Sequence, residues 1–175
     1  MTCDMDLQNI YNSIAGLSRE IVRECAARGV KISTAESCTG GMISGAVTSV
    51  SGSSAVIELG VCSYSNRIKH EILRVPGAVL EQFTEYSVEC AAEMAKGVMA
   101  LSGADYGVST TGVAGPTGGS AEHPVGEVCI AVSGRNFCRS GRFLFADEPG
   151  KADRELIRAL AAEKALSMLL EEIRK

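Results

Sequence analysis

Residues 33–41 read STAESCTGG, and Ser37, Cys38 and Thr39 there are three side chains able to attack or hold a carbonyl group. The glycine pair that follows, Gly40 and Gly41, lets backbone N–H groups approach a ligand closely. Ser37 or Thr39 can equally cap the helix that the next residues predict, and capping is the commoner use of such a run. Taken alone, the stretch leaves nucleophile and cap both open.

A serine nucleophile needs a base. Two histidines, His70 and His123, give a Ser-His-Asp arrangement little support. Lys69, in the run YSNRIK, is the alternative. A free lysine titrates near pH ~10.4, so the role demands burial or nearby positive charge, which Arg67 and a ligand-binding arginine can supply. An exposed helical lysine is the plainer reading of Lys69, and strand-end packing competes with a proton relay for Tyr64. Cys38 is the rival nucleophile, because a thiol at a helix N-terminus can lose its proton more easily; a small buried cysteine beneath the loop is the other reading.

Two further stretches suit an anion. In TGVAGPTGG, residues 111–119, Gly112, Gly115, Gly118 and Gly119 can take positive φ and turn successive N–H groups inward, with Pro116 implying a defined turn rather than a slack connection. Arg154 and Arg158 stand four apart at the start of the last predicted helix, on one face, where they either hold a phosphate or form a solvated face paired with Glu155.

These side chains need elements to carry them. Leu7, Ile10, Tyr11, Ile14, Leu17, Ile21 and Cys25 recur at helical spacing and predict an opening helix that ends near Gly29. VKISTA predicts a strand, MISGAVTSV a helix, VIELGVCSYS a buried strand, and NRIKHEILR a helix closed by a Pro76-Gly77 turn. Val88, Ala91, Ala92, Ala95, Val98 and Met99 mark a helix capped by Thr84 or Ser87. ADYGVST is the next strand, EVCIAVSG and FCRSGRFLF pair about Gly134, and residues from about 152 to 174 close the chain as a helix. The order predicts one three-layer α/β domain spanning residues 1–175, with a mixed, mostly parallel central sheet flanked by helices.

Composition narrows the function classes. The chain has 175 residues, 46% hydrophobic and 22% charged, with a net charge of −4. That charge offers nucleic acid no basic face, and aromatic residues at 5% offer few stacking platforms. No apolar run is long enough to span a bilayer, and the N-terminus does not read as a signal peptide. Seven scattered cysteines without C-x-x-C spacing read as reduced thiols in a cytoplasmic, metal-free and cofactor-free protein.

TAESCTGG, YSNRIK, TGVAGPTGG followed by PVGEV, and DRELIR stand here in the order found in the CinA C-terminal domain family, and the chain resembles that family from residue 34 to residue 158. Characterised members include nicotinamide-nucleotide amidases. The resemblance therefore implies a stand-alone amidase that converts nicotinamide mononucleotide and water to nicotinic acid mononucleotide and ammonia. It implies Ser37 as nucleophile, at once a helix-start residue, with Lys69 and Tyr64 assisting. Thr39, Gly40, Gly41, Thr111, Gly112, Gly115, Gly118, Gly119, Arg154 and Arg158 would then bind a small nucleotide substrate, in a homodimer or higher homo-oligomer.

Two departures stand out. ADEPGKADR occupies the place where relatives often have a compact GDR, and His123 precedes PVG where they often carry lysine. The competing expectations are an amidase for another substrate and a non-catalytic nucleotide-binding or protein-interaction module linked to competence or DNA damage.

Overall fold

The computed structural model describes residues 2–146 and 153–175. In chain order the elements are α1 (Thr2–Arg28), β1 (Ile32–Glu36), α2 (Met42–Thr48), β2 (Ile57–Cys62), α3 (Asn66–Glu71), α4 (Gly77–Phe83), α5 (Val88–Ser102), β3 (Tyr106–Gly112), β4 (Glu127–Gly134), β5 (Phe137–Leu144) and α6 (Arg154–Ile173). The five strands form one sheet in the order β2-β1-β3-β4-β5. β1 runs parallel to both β2 and β3, and β4 is antiparallel to β3 and β5. This is the mixed sheet between helices that the alternation of predicted elements implies.

Alternation along β4 shows how both faces are covered. Val128, Ile130 and Val132 join the core under α1, α2 and α6, while Cys129 and Ala131 meet Ala91 and Ala95 of α5. Successive strand side chains point to opposite faces, so a strand with helices on both sides reads as a continuous apolar run. The α5 side is built close. A Cβ on Gly107 of β3 would lie 2.1 Å from the Ala95 carbonyl oxygen, so only glycine lets helix and strand approach this far.

Most predicted elements lie where the sequence puts them, α1 ending at Gly29 in a left-handed turn and α5 capped by Ser87, whose hydroxyl accepts from the Cys90 N–H. Two expectations change. VIELGVCSYS is an edge strand: Ile57, Leu59 and Val61 are half-buried, whereas Glu58, Gly60 and Cys62 are exposed. Its apolar residues cover one face of an edge, and the other face stays exposed although Ser44 of α2 lies against Gly60. Pro76-Gly77 opens a short helix instead of merely ending one. The Pro76 carbonyl accepts from the N–H groups of Val79 and Leu80, and the fixed φ of proline favours a first helical turn.

Candidate active site

β1 lies between its two parallel neighbours, and the pairing runs on past its end. The Ser63 N–H donates to the Glu36 carbonyl at 2.8 Å and the Ser37 N–H donates to the Thr110 carbonyl at 2.9 Å. Ser37 therefore emerges at the carboxyl edge of the parallel strands, where open α/β sheets form their crevices. Neither Ser37 nor Thr39 caps α2, whose N-cap is Gly41 at φ 93°. The capping group is the buried carboxylate of Glu36, which accepts from the N–H groups of Gly41, Ile43 and Ser44 and from the hydroxyls of Thr39 and Ser44 at 2.7–3.0 Å. A carboxylate three residues ahead of the Thr-Gly-Gly that leads into the helix was the signal for this role, since helix N-termini favour negative charge.

α3 begins just beyond β2, with the Ser65 hydroxyl accepting from the Ile68 N–H. One turn in, Lys69 runs back under the strand ends. It is 1% exposed, and its Nζ lies 3.2 Å from Ser37 Oγ. Burial depresses its pKa, and the nearby Cys90, Glu85 and Cys38 offset only part of that effect. Desolvation, not Arg67, is the cause: Arg67 is exposed and pairs with Glu71. Burial pushes the Cys38 thiol up to about 12, despite Lys69 nearby, so Cys38 stays protonated and is the packed cysteine of the two readings.

Ser37 and Lys69 open into a cavity of about 380 Å³ that Tyr64, Gly112, Gly115, Gly118 and Arg154 also line. Gly115 has φ 73°, and a Cβ there would come 2.3 Å from Val125 Cγ1, so the loop closes against itself at this point. The Arg154 guanidinium donates to the Gly115 carbonyl at 2.6 Å and to the Tyr64 hydroxyl at 3.0 Å. Tyr64 is 66% exposed, and its hydroxyl meets Arg154 rather than Ser37 or Lys69. Residues 147–152 of the long connection ahead of α6 lie outside the described residues. The connection nevertheless leaves Arg154 on the cavity wall.

The remaining expected substrate contacts lie off that wall. Arg158 donates to the carbonyls of Cys38 and Thr39 at 3.1 and 2.8 Å and so clamps the serine loop from behind. The Thr39 hydroxyl bonds to Glu36 and Thr110, and the Thr111 hydroxyl donates to the Glu85 carbonyl at 2.6 Å. Strand alternation sends Thr110 and Thr111 to opposite faces, neither of which is the cavity. Gly40, Gly41 and Gly119 are likewise absent from its lining, and Gly119, unlike Gly118, does not take positive φ.

Sequence reasoning missed Asn66, Glu85 and Tyr86, which also line the cavity. Asn66 stands inside the YSNRIK run, but nothing in the spacing of Glu85 or Tyr86 marks them. His123, the second departure, holds Glu127 with Nδ1 at 2.9 Å and meets the Thr84 hydroxyl with Nε2 at 3.2 Å. Among the described residues no three His, Cys, Asp or Glu side chains gather as a metal site would require, six cysteines are unpaired thiols, and no helix is long and apolar enough to cross a membrane.

The model of the family described as "CinA C-terminal domain" matches residues 14–173. The nicotinamide-nucleotide amidohydrolase PncC of Enterobacter agglomerans is 45% identical over 91% of this chain and 94% of its own length. A CinA-like protein of Geotalea daltonii is 41% identical over 96% of this chain, which spans 38% of that longer protein. Among solved structures, the competence/damage inducible protein CihA of Agrobacterium tumefaciens superposes with a TM-score of 0.87 at 39% identity, covering 93% of this chain and 96% of that one. A competence damage-inducible protein A from Klebsiella pneumoniae gives 0.85 at 34% identity over 92% and 97% of the two chains.

Proposed function

The chain belongs to the CinA C-terminal domain family, and from that premise we propose that it is an amidase that deamidates nicotinamide mononucleotide to nicotinic acid mononucleotide and ammonia. The observation that carries the reading is the buried Lys69 Nζ 3.2 Å from Ser37 Oγ, with burial favouring the neutral amine. A site that only binds has no use for a desolvated amine held against a serine hydroxyl.

The chemistry proposed is acyl transfer. Neutral Lys69 takes the Ser37 proton as Oγ attacks the carboxamide carbon, and the carbonyl oxygen becomes an oxyanion. The Ser37 N–H already donates to Thr110. The Val113 N–H is likewise taken by the Glu127 carbonyl, so stabilisation of the oxyanion falls to N–H groups at residues 38–40, 112, 114 and 115. As the tetrahedral species collapses, the carbon–nitrogen bond breaks and the Lys69 ammonium returns a proton to the departing nitrogen, releasing ammonia. Water then attacks the ester with Lys69 again as base, the ester carbon–oxygen bond breaks, and Ser37 regains its proton as the acid leaves.

The 5′-phosphate of the substrate is assigned to Arg154, the arginine on the cavity wall, and to the N–H groups of the glycine loop. Tyr64, whose hydroxyl accepts from Arg154, is assigned to positioning that guanidinium, and Arg158 to holding the serine loop. The reading takes the protein as cytoplasmic and as a homodimer or higher homo-oligomer.

The test is ammonia release from nicotinamide mononucleotide by the wild type and by Ser37→Ala. Release that disappears in a folded variant supports the amidase and its nucleophile together. A well-folded wild type that releases none, yet binds the nucleotide, would instead favour a binding module.

A further inference from the structure

We infer that Glu85 is the group with which this cavity selects a cationic ring, favouring a pyridinium carboxamide over a neutral amide and over the carboxylate that hydrolysis produces. The inference rests on the amidase reading above and names the property of the substrate that the site reads.

Three lining side chains are ionisable as full charges: Lys69, Glu85 and Arg154. With Lys69 neutral for its role as base, one carboxylate and one guanidinium remain. Arg154 stands at the glycine loop, on the Gly115 carbonyl. Glu85 lines the same cavity as Lys69, close enough that charge on either bears on the titration of the other. A cavity with an acid near the nucleophile and a guanidinium at the loop matches a ligand with a cationic ring and an anionic tail. A nucleotide whose pyridine nitrogen is bonded to ribose is such a ligand.

The carboxylate is presented by a segment that its neighbours hold in place. Thr84 carries φ 67°, a left-handed value that a β-branched residue adopts only when its surroundings impose it. The Thr111 hydroxyl donates to the Glu85 carbonyl at 2.6 Å, the Cys129 thiol donates to the Tyr86 carbonyl at 3.2 Å, and His123 Nε2 meets the Thr84 hydroxyl. Two strands and the loop between them thus pin three consecutive residues, and Glu85 is the one of the three that brings a full charge to the cavity lining. Burial alone would raise its pKa, but hydrogen bonds from its own backbone and from the Asn66 and Tyr86 side chains lead the effects that offset this and favour the carboxylate. Those groups keep the charge without neutralising it.

The consequence is directional. Before reaction the ring is cationic and the carboxamide neutral, so a carboxylate beside them attracts. After reaction the ring keeps its charge but the product also bears a carboxylate near Ser37, and repulsion between that group and Glu85 offsets the attraction of the ring. One charge therefore holds the substrate more tightly than the product.

The experiment is calorimetric binding to Ser37→Ala, with and without Glu85→Gln, of three ligands: nicotinamide mononucleotide, its ring-reduced neutral counterpart, and nicotinic acid mononucleotide. Removing the charge is expected to weaken the cationic substrate about tenfold, to change the neutral-ring ligand less than about twofold, and to weaken the product clearly less than the substrate. Glu85→Asp, which keeps the charge, is expected to retain the ranking of the three ligands and guards against a general loss of structure. Equal changes for all three ligands, or none, overturn the inference while leaving intact an amidase that releases ammonia. If the wild type neither binds nor hydrolyses nicotinamide mononucleotide, the amidase reading falls and this inference falls with it.

Discussion

Lys69 Nζ lies 3.2 Å from Ser37 Oγ, and both side chains are buried. Thirty-two positions separate them in the chain, and the contact arises because β2 and α3 return Lys69 beneath the end of β1. If the amine acts as a base, the rate should climb with pH along a limb whose midpoint lies below 10.5, the ordinary lysine value. Lys69→Arg, charged at every accessible pH, should fold and lose activity by at least about a thousandfold. Stability carries its own sign. Between the depressed folded value and 10.5 the unfolded chain binds more protons, so stability rises with pH across that interval. Lys69→Met removes the buried amine and should flatten this rise, with no loss of stability at neutral pH. An inactive variant that still shows the rise in chemical denaturation would assign it to another group.

The two arginines should separate kinetically. Arg154→Ala should raise KM for the phosphorylated nucleotide by about ten- to a hundredfold and leave hydrolysis of the corresponding nucleoside nearly unchanged. Tyr64→Phe should follow in the same direction but less strongly, since its hydroxyl only receives the guanidinium. Arg158→Ala should instead lower kcat, because it releases the carbonyls of Cys38 and Thr39. Steady-state kinetics on nucleotide and nucleoside decide the matter. A pure KM effect in Arg158→Ala would place it on substrate after all.

Glu36 should prove necessary for structure. Its carboxylate accepts from three backbone N–H groups and two close hydroxyls, and Glu36→Gln turns an NH2 group toward some of those donors. The expected cost is about 3 kcal/mol in urea or guanidinium unfolding, with a fall in kcat because the serine loop loses its anchor. Unchanged stability in Glu36→Gln would mean that the cap is dispensable.

Cys38→Ala should retain turnover within about threefold, because a thiol held near 12 supplies no thiolate at working pH. Loss of turnover with full stability would return Cys38 to the list of reacting groups.

How much of this was legible without coordinates differs by residue. The strands and long helices follow from apolar periodicity, a local property that survives folding because both faces of the sheet are covered. Ser37 and Lys69 could be named as candidates from residue type and motif. Their distance could not, since it depends on the parallel register of β1 with β2, which no local pattern encodes. Glu36 was passed over in the sequence, where an acid ahead of a helix was its one signal, and its burial under five donors had no signal at all. Thr111 and Arg158 show the reverse: each stands in a suggestive run, yet strand alternation turns one toward Glu85 and helix phase turns the other toward the back of the serine loop. The sequence by itself determined which elements form and which side chains could carry chemistry, because these depend on neighbours a few residues away. Only the tertiary structure decided which of those side chains share a cavity, and it added Glu85. That residue's place is set by partners 26, 39 and 43 positions from its segment.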